Sequence, residues 1–245
     1  MAARSGVMVA VDSAAGAEIL EEEARVVTGK EAALSERDRE RIRQAVHAAE
    51  QQTRAEIVPM IVARSGLYRD AQHWAGLSIA LTTLAVLLTI EASWLSWGWH
   101  ASNAGWLVLA VTLAYVGGSW IGTLPPVLRL LTSPTRMRHK VALRAERAFA
   151  QHAISQTRER TGVLIMLSIL EKQIYVLPDR SLAGLVPADG WKQVVRAAIE
   201  RLRGGDIAEG LSNAIAACGA VLADACPACP GDNPNELPDQ VIEER

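Results

Sequence analysis

The sequence predicts a small layered α/β sandwich that is interrupted by a two-helix transmembrane hairpin. Helix and strand patterns mix along the polar parts of the chain, which is typical of layered α/β domains. The segment from Ala71 to Leu128 carries one formal charge, Glu91, although 21% of the 245 residues are charged. Six of the seven tryptophans fall between positions 74 and 120. Such an uncharged, tryptophan-rich segment excludes a uniformly soluble globular protein.

The chain begins with a polar tail and the first half of the predicted domain. Residues 1–34 hold six acids and three bases, and we expect an acidic mobile tail there. Ser35 and Asp38 form the pattern of a capping box at the start of a helix. The apolar run at 55–63 predicts a strand. Pro59 cannot donate a ladder hydrogen bond, so this strand is expected at a sheet edge or with a bulge.

Two uncharged stretches, at about 74–90 and 106–124, predict membrane-spanning helices. At 1.5 Å per residue they are about 26 and 28 Å long, close to the roughly 30 Å hydrocarbon core of a bilayer. The alternative is a pair of core helices in a soluble protein. We consider it weaker, because a chain of this size can hardly bury two such stretches.

Basic residues predict the orientation of this hairpin. The connecting segment at 91–105 contains neither Lys nor Arg, whereas both flanks contain several. The positive-inside rule therefore predicts that both termini are cytoplasmic. Gly118 and Gly122 have the spacing of a G-x-x-x-G motif. They predict close packing inside the hairpin or, as a second interpretation, the interface of a homo-oligomer.

After the hairpin, the pattern predicts the second half of the domain. It contains a basic amphipathic helix at 136–156, strands at 163–169 and 173–178, and helices at 191–202 and 207–222. Eight bases and two acids lie between positions 129 and 160. Next to a membrane, such a segment can bind anionic lipid, or it can serve only as a topology signal. The last segment, 226–245, is expected to be a flexible tail.

The stretch RTGVLIMLSILEKQIYVLPDRSLAGLVPADGWKQVV at 160–195, followed by GGDIAEGLSNAI, resembles the second half of TPM domains. TRAEIVPMIVARS at 53–65, with the helix before it, resembles their first half. The resemblance covers roughly 35–66 and 135–225, and the chain looks most like bacterial members in which a transmembrane hairpin at 71–128 interrupts the domain. It implies an α/β sandwich that a hairpin anchors to the bacterial inner membrane.

The TPM resemblance does not imply a single function. Its members are linked to phosphatase activity, to quality control of membrane complexes and to metal binding by acidic residues. Many carry Asp-Asn-Gly where this chain has Arg160, Thr161 and Gly162. An arginine cannot hold a hard divalent cation as a carboxylate can. This departure weakens the transfer of both a calcium site and a phosphatase activity.

Polar residues near strand ends predict one candidate site. Asp179 and Arg180 follow the third strand, and with Glu56 and Arg160 they are expected to form a polar cluster at the sheet edge. The arginines would bind an anion such as phosphate, and Asp179 would serve as an acid, a base or a metal ligand. The alternative is a set of salt bridges that fixes the loop.

No metal site or cofactor is predicted. A zinc site normally needs four ligands, and no second pair accompanies Cys226 and Cys229. We therefore interpret these residues as two reduced cytoplasmic thiols. The formal net charge of −2 gives no reason to expect a nucleic-acid partner.

The sequence thus favours a membrane-tethered, non-enzymatic interaction module that aids assembly or turnover of membrane proteins. Its expected partners are the lipid bilayer, including anionic lipid, and other membrane proteins. A phosphatase that uses acids at the sheet edge is the alternative. A bare anchor that binds anionic lipid through 129–147 is the third interpretation.

Overall fold

A computed structural model describes residues 7–10, 34–94, 101–202, 204–228 and 235–244. For residues 7–10, 91–94, 101–104 and 183 it describes the backbone only. The chain divides into two compact units. The hairpin unit comprises Gly66–Met137, and the α/β unit combines Met1–Ser65 with Arg138–Arg245.

The described residues form five strands and eight α-helices. The strands are β1 (Val7–Ala10), β2 (Glu56–Val62), β3 (Gly162–Ser168), β4 (Gln173–Pro178) and β5 (Ile242–Glu244). The helices are α1 (Glu36–Glu50), α2 (Arg69–Trp94), α3 (Ala101–Ile121), α4 (Pro125–Leu131), α5 (Pro134–Gln151), α6 (Arg180–Ala183), α7 (Ala188–Leu202) and α8 (Ile207–Ala225). A 3₁₀ turn, Ile154–Gln156, follows α5.

The α/β unit is built on one five-stranded sheet with the order β1-β4-β3-β2-β5. β2 and β3 are parallel, with Glu56 opposite Gly162. β3 and β4 form the predicted antiparallel hairpin, in which Ser168 is opposite Gln173. Its tight turn includes Lys172, which has a φ of 50°.

Helices cover both faces of this sheet, which confirms the predicted α/β sandwich. On one face, Ile57, Ile61 and Ile165 pack with α1, α7 and α8. On the other face, Met60 and Met166 pack with α5, whose Phe149 is fully buried. All residues of β2 and β3 are buried, as expected of strands covered on both sides.

Each of the two predicted tails contains a short strand of the sheet, which corrects the prediction for these residues. β1 lies within the predicted mobile tail at 1–34 and pairs antiparallel with β4. β5 lies within the predicted flexible tail at 226–245 and pairs parallel with β2. Strands of four and three residues are too short to show a period in the sequence, and strands elsewhere in the chain complete their hydrogen bonding.

The position of β5 also modifies the prediction for Pro59. β2 is an inner strand at Met60–Val62, where β5 lies beside it. From Glu56 to Pro59, the only strand described beside β2 is β3. Pro59 therefore lies in the stretch of β2 that faces no β5 residue, where its missing N–H is tolerated.

Helix termini follow the sequence signals closely. Ser35 accepts a hydrogen bond from the Asp38 N–H at 3.2 Å, and Asp38 accepts one from the Ser35 N–H at 3.1 Å, so the predicted capping box is present. The basic helix ends at Gln151, earlier than predicted, because Ala153 adopts a left-handed conformation (φ 54°).

The hairpin unit contains α2 and α3 packed along each other. Gly118 faces α2 so closely that an added Cβ would lie 3.0 Å from the Gly76 Cα, and one on Gly122 would lie 2.9 Å from the Ala75 Cβ. The structure therefore uses both glycines for close packing inside the hairpin. A Cβ on Gly117 would meet nothing within 4 Å.

Two described helices, α2 and α8, are long and apolar enough to cross a membrane. α3 is long and apolar enough only when it is taken together with α4, and the two helices meet at an angle of 97°. Only 17% of the α2 stretch is buried, against 44% for α8. The apolar stripe of α8, including Leu211, Ile215 and Leu222, lies in the core of the α/β unit. We therefore interpret α8 as a core helix.

Candidate functional site

The sheet places Glu56, Gly162 and Asp179 in one row across three adjacent strands. Glu56 opens β2 opposite Gly162, the first residue of β3. The N–H of Asp179, directly after β4, donates to the Gly162 carbonyl at 2.8 Å. The predicted residues Glu56 and Asp179 thus do reach the same end of the sheet.

Gly162 and the 3₁₀ turn separate these two carboxylates. An added Cβ on Gly162 would lie 2.3 Å from the carbonyl oxygen of Ile154, so the turn occupies the space directly over this glycine. Strands two places apart in a sheet are separated by about 10 Å. Ile154 therefore occupies the position between Glu56 and Asp179, and the two carboxylates do not form an acid pair.

Asp179 is buried and acts as a helix cap. Its Oδ1 accepts a hydrogen bond from the Arg180 N–H at 2.6 Å at the start of the short helix α6. Its Oδ2 is buried and has no hydrogen-bond partner among the described residues. This orphan oxygen is the one feature of the row that a ligand atom could satisfy.

The two predicted arginines lie near the same end of the sheet, but on the protein surface. Arg160 and Arg180 are both exposed, and Arg160 has a left-handed backbone (φ 56°). The ion pair at this end is instead Arg54 with Glu159, at 3.0 Å. The arginine–carboxylate contact at this end thus involves neither Arg160 nor Arg180.

Glu56 is buried and holds the C-terminal segment. Its Oε2 accepts a hydrogen bond from the Leu237 N–H at 3.1 Å. Burial raises the pKa of Glu56, while main-chain donors at Leu237 and Glu236 oppose that shift. The carboxylate thus fixes the path of the chain that leads into β5.

Glu50 is a buried acid that sequence reasoning missed. It accepts a hydrogen bond from the Ile57 N–H at 2.8 Å. Burial raises its pKa to about 8, and the nearby charges of Glu56 and Asp239 act in the same direction. Glu50 follows Ile42 and Val46 at four-residue intervals, so the helical period already placed it on the buried face of α1.

A second polar cluster, formed by Ser65, Ser168 and Glu171, lies at the opposite end of the sheet. Buried Glu171 accepts hydrogen bonds from the Ser65 N–H at 2.9 Å and from the Ser168 hydroxyl. The two serine hydroxyls are 2.8 Å apart. The cluster ties the end of β2 to the β3–β4 turn.

The cysteines show a structural arrangement where they are described. The Thr53 hydroxyl donates to the Cys226 carbonyl at 2.7 Å and lies 3.1 Å from its Sγ. Burial raises the pKa of the Cys218 thiol. Cys229, the other half of the C-x-x-C motif, lies outside the described residues. Within the described ranges, no three or more His, Cys, Asp or Glu side chains are arranged to hold a metal ion.

Comparison with known proteins identifies the fold and one matching domain. The sequence model of the TPM domain matches residues 127–221. The solved structure of the BA42 protein from the bacterium Bizionia argentinensis is similar, with a TM-score of 0.53 and 17% identity. The match covers 87% of this chain and 97% of that one, and at this identity it shows the fold alone. No curated protein matches the sequence. The chain thus contains a TPM domain, matched over residues 127–221.

Proposed function

We propose that this chain is a two-span protein of the bacterial inner membrane and presents its TPM domain to the cytoplasm. The domain is a non-enzymatic interaction module that serves the assembly or turnover of other membrane proteins. The observation that carries the proposal is the hairpin unit. It is inserted between the two sequence segments of the α/β unit and directs apolar side chains outward.

The outward surface of the hairpin supports membrane insertion. Leu81, Val108 and Leu113 are exposed on α2 and α3, as are the tryptophans Trp74, Trp106 and Trp120. An exposed apolar surface of this extent is stable in lipid but not in water. Tryptophans near helix ends prefer the headgroup region of a bilayer.

The distribution of basic residues supports cytoplasmic termini. The segment at 91–105 has no Lys or Arg, whereas Arg64, Arg69, Arg129 and Arg136 flank the spans. Reporter fusions within 91–105 and after Arg245 test this topology. We expect cytoplasmic activity only at the C-terminal position, and periplasmic activity there would overturn the orientation.

The hydrogen bonds of the buried acids support a role without catalysis. Glu50, Glu56 and Asp179 each accept a main-chain N–H, from Ile57, Leu237 and Arg180 respectively. Glu171 does the same for Ser65. Acids that bind the backbone in this way stabilise the path of the chain.

A crosslinking experiment in living cells tests the interaction role. Leu185 is a large apolar side chain of the α/β unit and is 57% exposed. With benzoylphenylalanine at position 185, we expect discrete adducts with membrane proteins. The matched position is Arg37, an exposed charged residue of α1. Equal labelling at both positions, or no adducts at any exposed position, would contradict the proposal.

A phosphatase is the second candidate, because the buried Oδ2 of Asp179 has no described partner and exposed Arg180 follows it. It predicts metal-dependent hydrolysis of a generic phosphoester such as p-nitrophenyl phosphate. The activity should disappear in Asp179→Asn, and persist in Glu200→Gln, a variant of an exposed acid on α7. Hydrolysis that survives Asp179→Asn would reject this site.

A further inference from the structure

The short helix α4 lies almost perpendicular to the span that precedes it. α3 has 21 residues and is therefore about 31 Å long, enough to cross a hydrocarbon core of roughly 30 Å by itself. α4 begins four residues after the end of α3, at an angle of 97°. If α3 crosses the bilayer, α4 runs along the membrane surface.

The side chains of α4 are arranged as in a surface-bound helix. Leu128 is buried in the hairpin unit, while Leu124 and Leu131 are exposed and Leu130 is 86% exposed. Val127 and Leu131 are each two residues from Arg129, which turns them about 200° away from it around the helix. One side of α4 is thus apolar and the opposite side carries a base.

The arginines of the hairpin unit collect at the same end. Arg69 opens α2, Arg129 lies on α4 and Arg136 follows two residues after the start of α5. Arg136 contacts Asp70 at 2.8 Å, and 61% of its side chain is exposed, so its guanidinium stays accessible. A guanidinium binds phosphate oxygens through two parallel hydrogen bonds.

We propose that α4 is a lipid-docking helix for anionic phospholipid. Leu124, Leu130 and Leu131 insert at the boundary between headgroups and acyl chains, while Arg129 and Arg136 bind the headgroup phosphate. This inference rests on the proposed membrane insertion of the hairpin. It adds a specific lipid class and a specific binding element to that proposal.

A nitroxide at position 130 tests the location of α4 in the full chain, reconstituted in vesicles. Leu130→Cys, Leu113→Cys and Leu185→Cys are labelled separately in a Cys229→Ala background, since Cys218 and Cys226 are buried. We expect the label at 130 to be accessible to oxygen and shielded from a water-soluble nickel complex, as the label at 113 is. The label at 185 reports the accessibility of a water-exposed site.

The three labels separate the two proposals. If the label at 113 is in lipid and the label at 130 is as accessible to nickel as the label at 185, the lipid-docking inference is wrong and the hairpin proposal stands. If the label at 113 is also in water, the hairpin is not inserted and both proposals fail.

Lipid selectivity tests the arginines. Quenching of the tryptophans by brominated phosphatidylglycerol and brominated phosphatidylcholine gives the relative affinity for the two lipids. We expect the wild type to prefer phosphatidylglycerol. In the double variant Arg129→Gln/Arg136→Gln, this preference should fall by about fivefold for each of the two arginines removed. Arg37→Gln/Arg196→Gln removes two exposed bases of the α/β unit and should leave it unchanged. An equal preference in both double variants would overturn the role of the arginines.

Discussion

At the residue scale, the buried acid Glu50 links stability to pH. Burial raises its pKa from 4.5 to about 8, so the folded protein retains a proton that the unfolded chain releases. The associated stability is complete below pH 4.5 and is lost as the pH rises towards 8. We expect the loss to be on the order of a few kcal/mol, since one pKa unit corresponds to about 1.4 kcal/mol.

Glu50→Gln should remove this pH dependence and make the protein more stable than the wild type above pH 8. Glutamine keeps an oxygen for the Ile57 N–H and has no charge to desolvate. The measurement is urea unfolding in detergent at a series of pH values, monitored by circular dichroism. Glu200→Gln, on the exposed side of α7, should behave as the wild type. A parallel pH profile for wild type and Glu50→Gln would disprove this role.

Gly162 is the residue at which one methyl group is expected to matter most. A Cβ there would lie 2.3 Å from the Ile154 carbonyl oxygen and 2.6 Å from its Cγ2. Since backbone must move, we expect Gly162→Ala to destabilise the α/β unit by about 2–3 kcal/mol. Gly184→Ala meets no atom within 4 Å and should change little. Equal unfolding midpoints would show that the 3₁₀ turn can shift freely.

The sequence predicts which residues reach the candidate site better than it predicts what they contact. Strand ends place Glu56 and Asp179 at the same end of the sheet, as the register shows, with Gly162 between them. The partners of Glu56 and Glu50 lie elsewhere, on Leu237 and at the start of β2. No local pattern reports such contacts, because they arise only when distant segments pack.

At the element scale, the glycine face of the hairpin gives a matched pair of variants. Gly118→Ala places a Cβ 3.0 Å from the Gly76 Cα, whereas Gly117→Ala places one in open space. We expect Gly118→Ala to lower the thermal midpoint in detergent and Gly117→Ala to leave it unchanged. If Gly118→Ala instead changes only the oligomeric state, then the second interpretation of this motif would be correct.

Element prediction works where a period is long enough to read. The stripes of α1, α7 and α8 lie in the core because each has several apolar residues at helical spacing. β1, β5 and α4 are too short to show a period, since the longest of them, α4, has seven residues. Hydropathy also does not predict the bend before α4, because the apolar stretch continues through Leu124 without interruption.

At the scale of the whole molecule, the α/β unit combines sequence segments that flank the hairpin. We therefore expect that a Gly/Ser linker in place of 66–137 gives a soluble domain that unfolds cooperatively. Circular dichroism and urea unfolding would test this. The control deletes α8 from the linked protein and should abolish folding, because α8 supplies Leu211, Ile215 and Leu222 to the core. Aggregation of the linked protein itself would show that the hairpin is needed for folding.

The pairing of β2 with β3 has a consequence for synthesis on the ribosome. Glu56 pairs with Gly162, and the whole hairpin is translated between these two residues. At about 5–20 residues per second, β2 waits on the order of ten seconds for its neighbour. During that time the strand EIVPMIV lacks its neighbour β3, and the hairpin leaves the ribosome before the sheet can close. With the hairpin inserted as proposed, insertion therefore precedes folding of the α/β unit, and a delay at the translocon would extend the period in which β2 can aggregate.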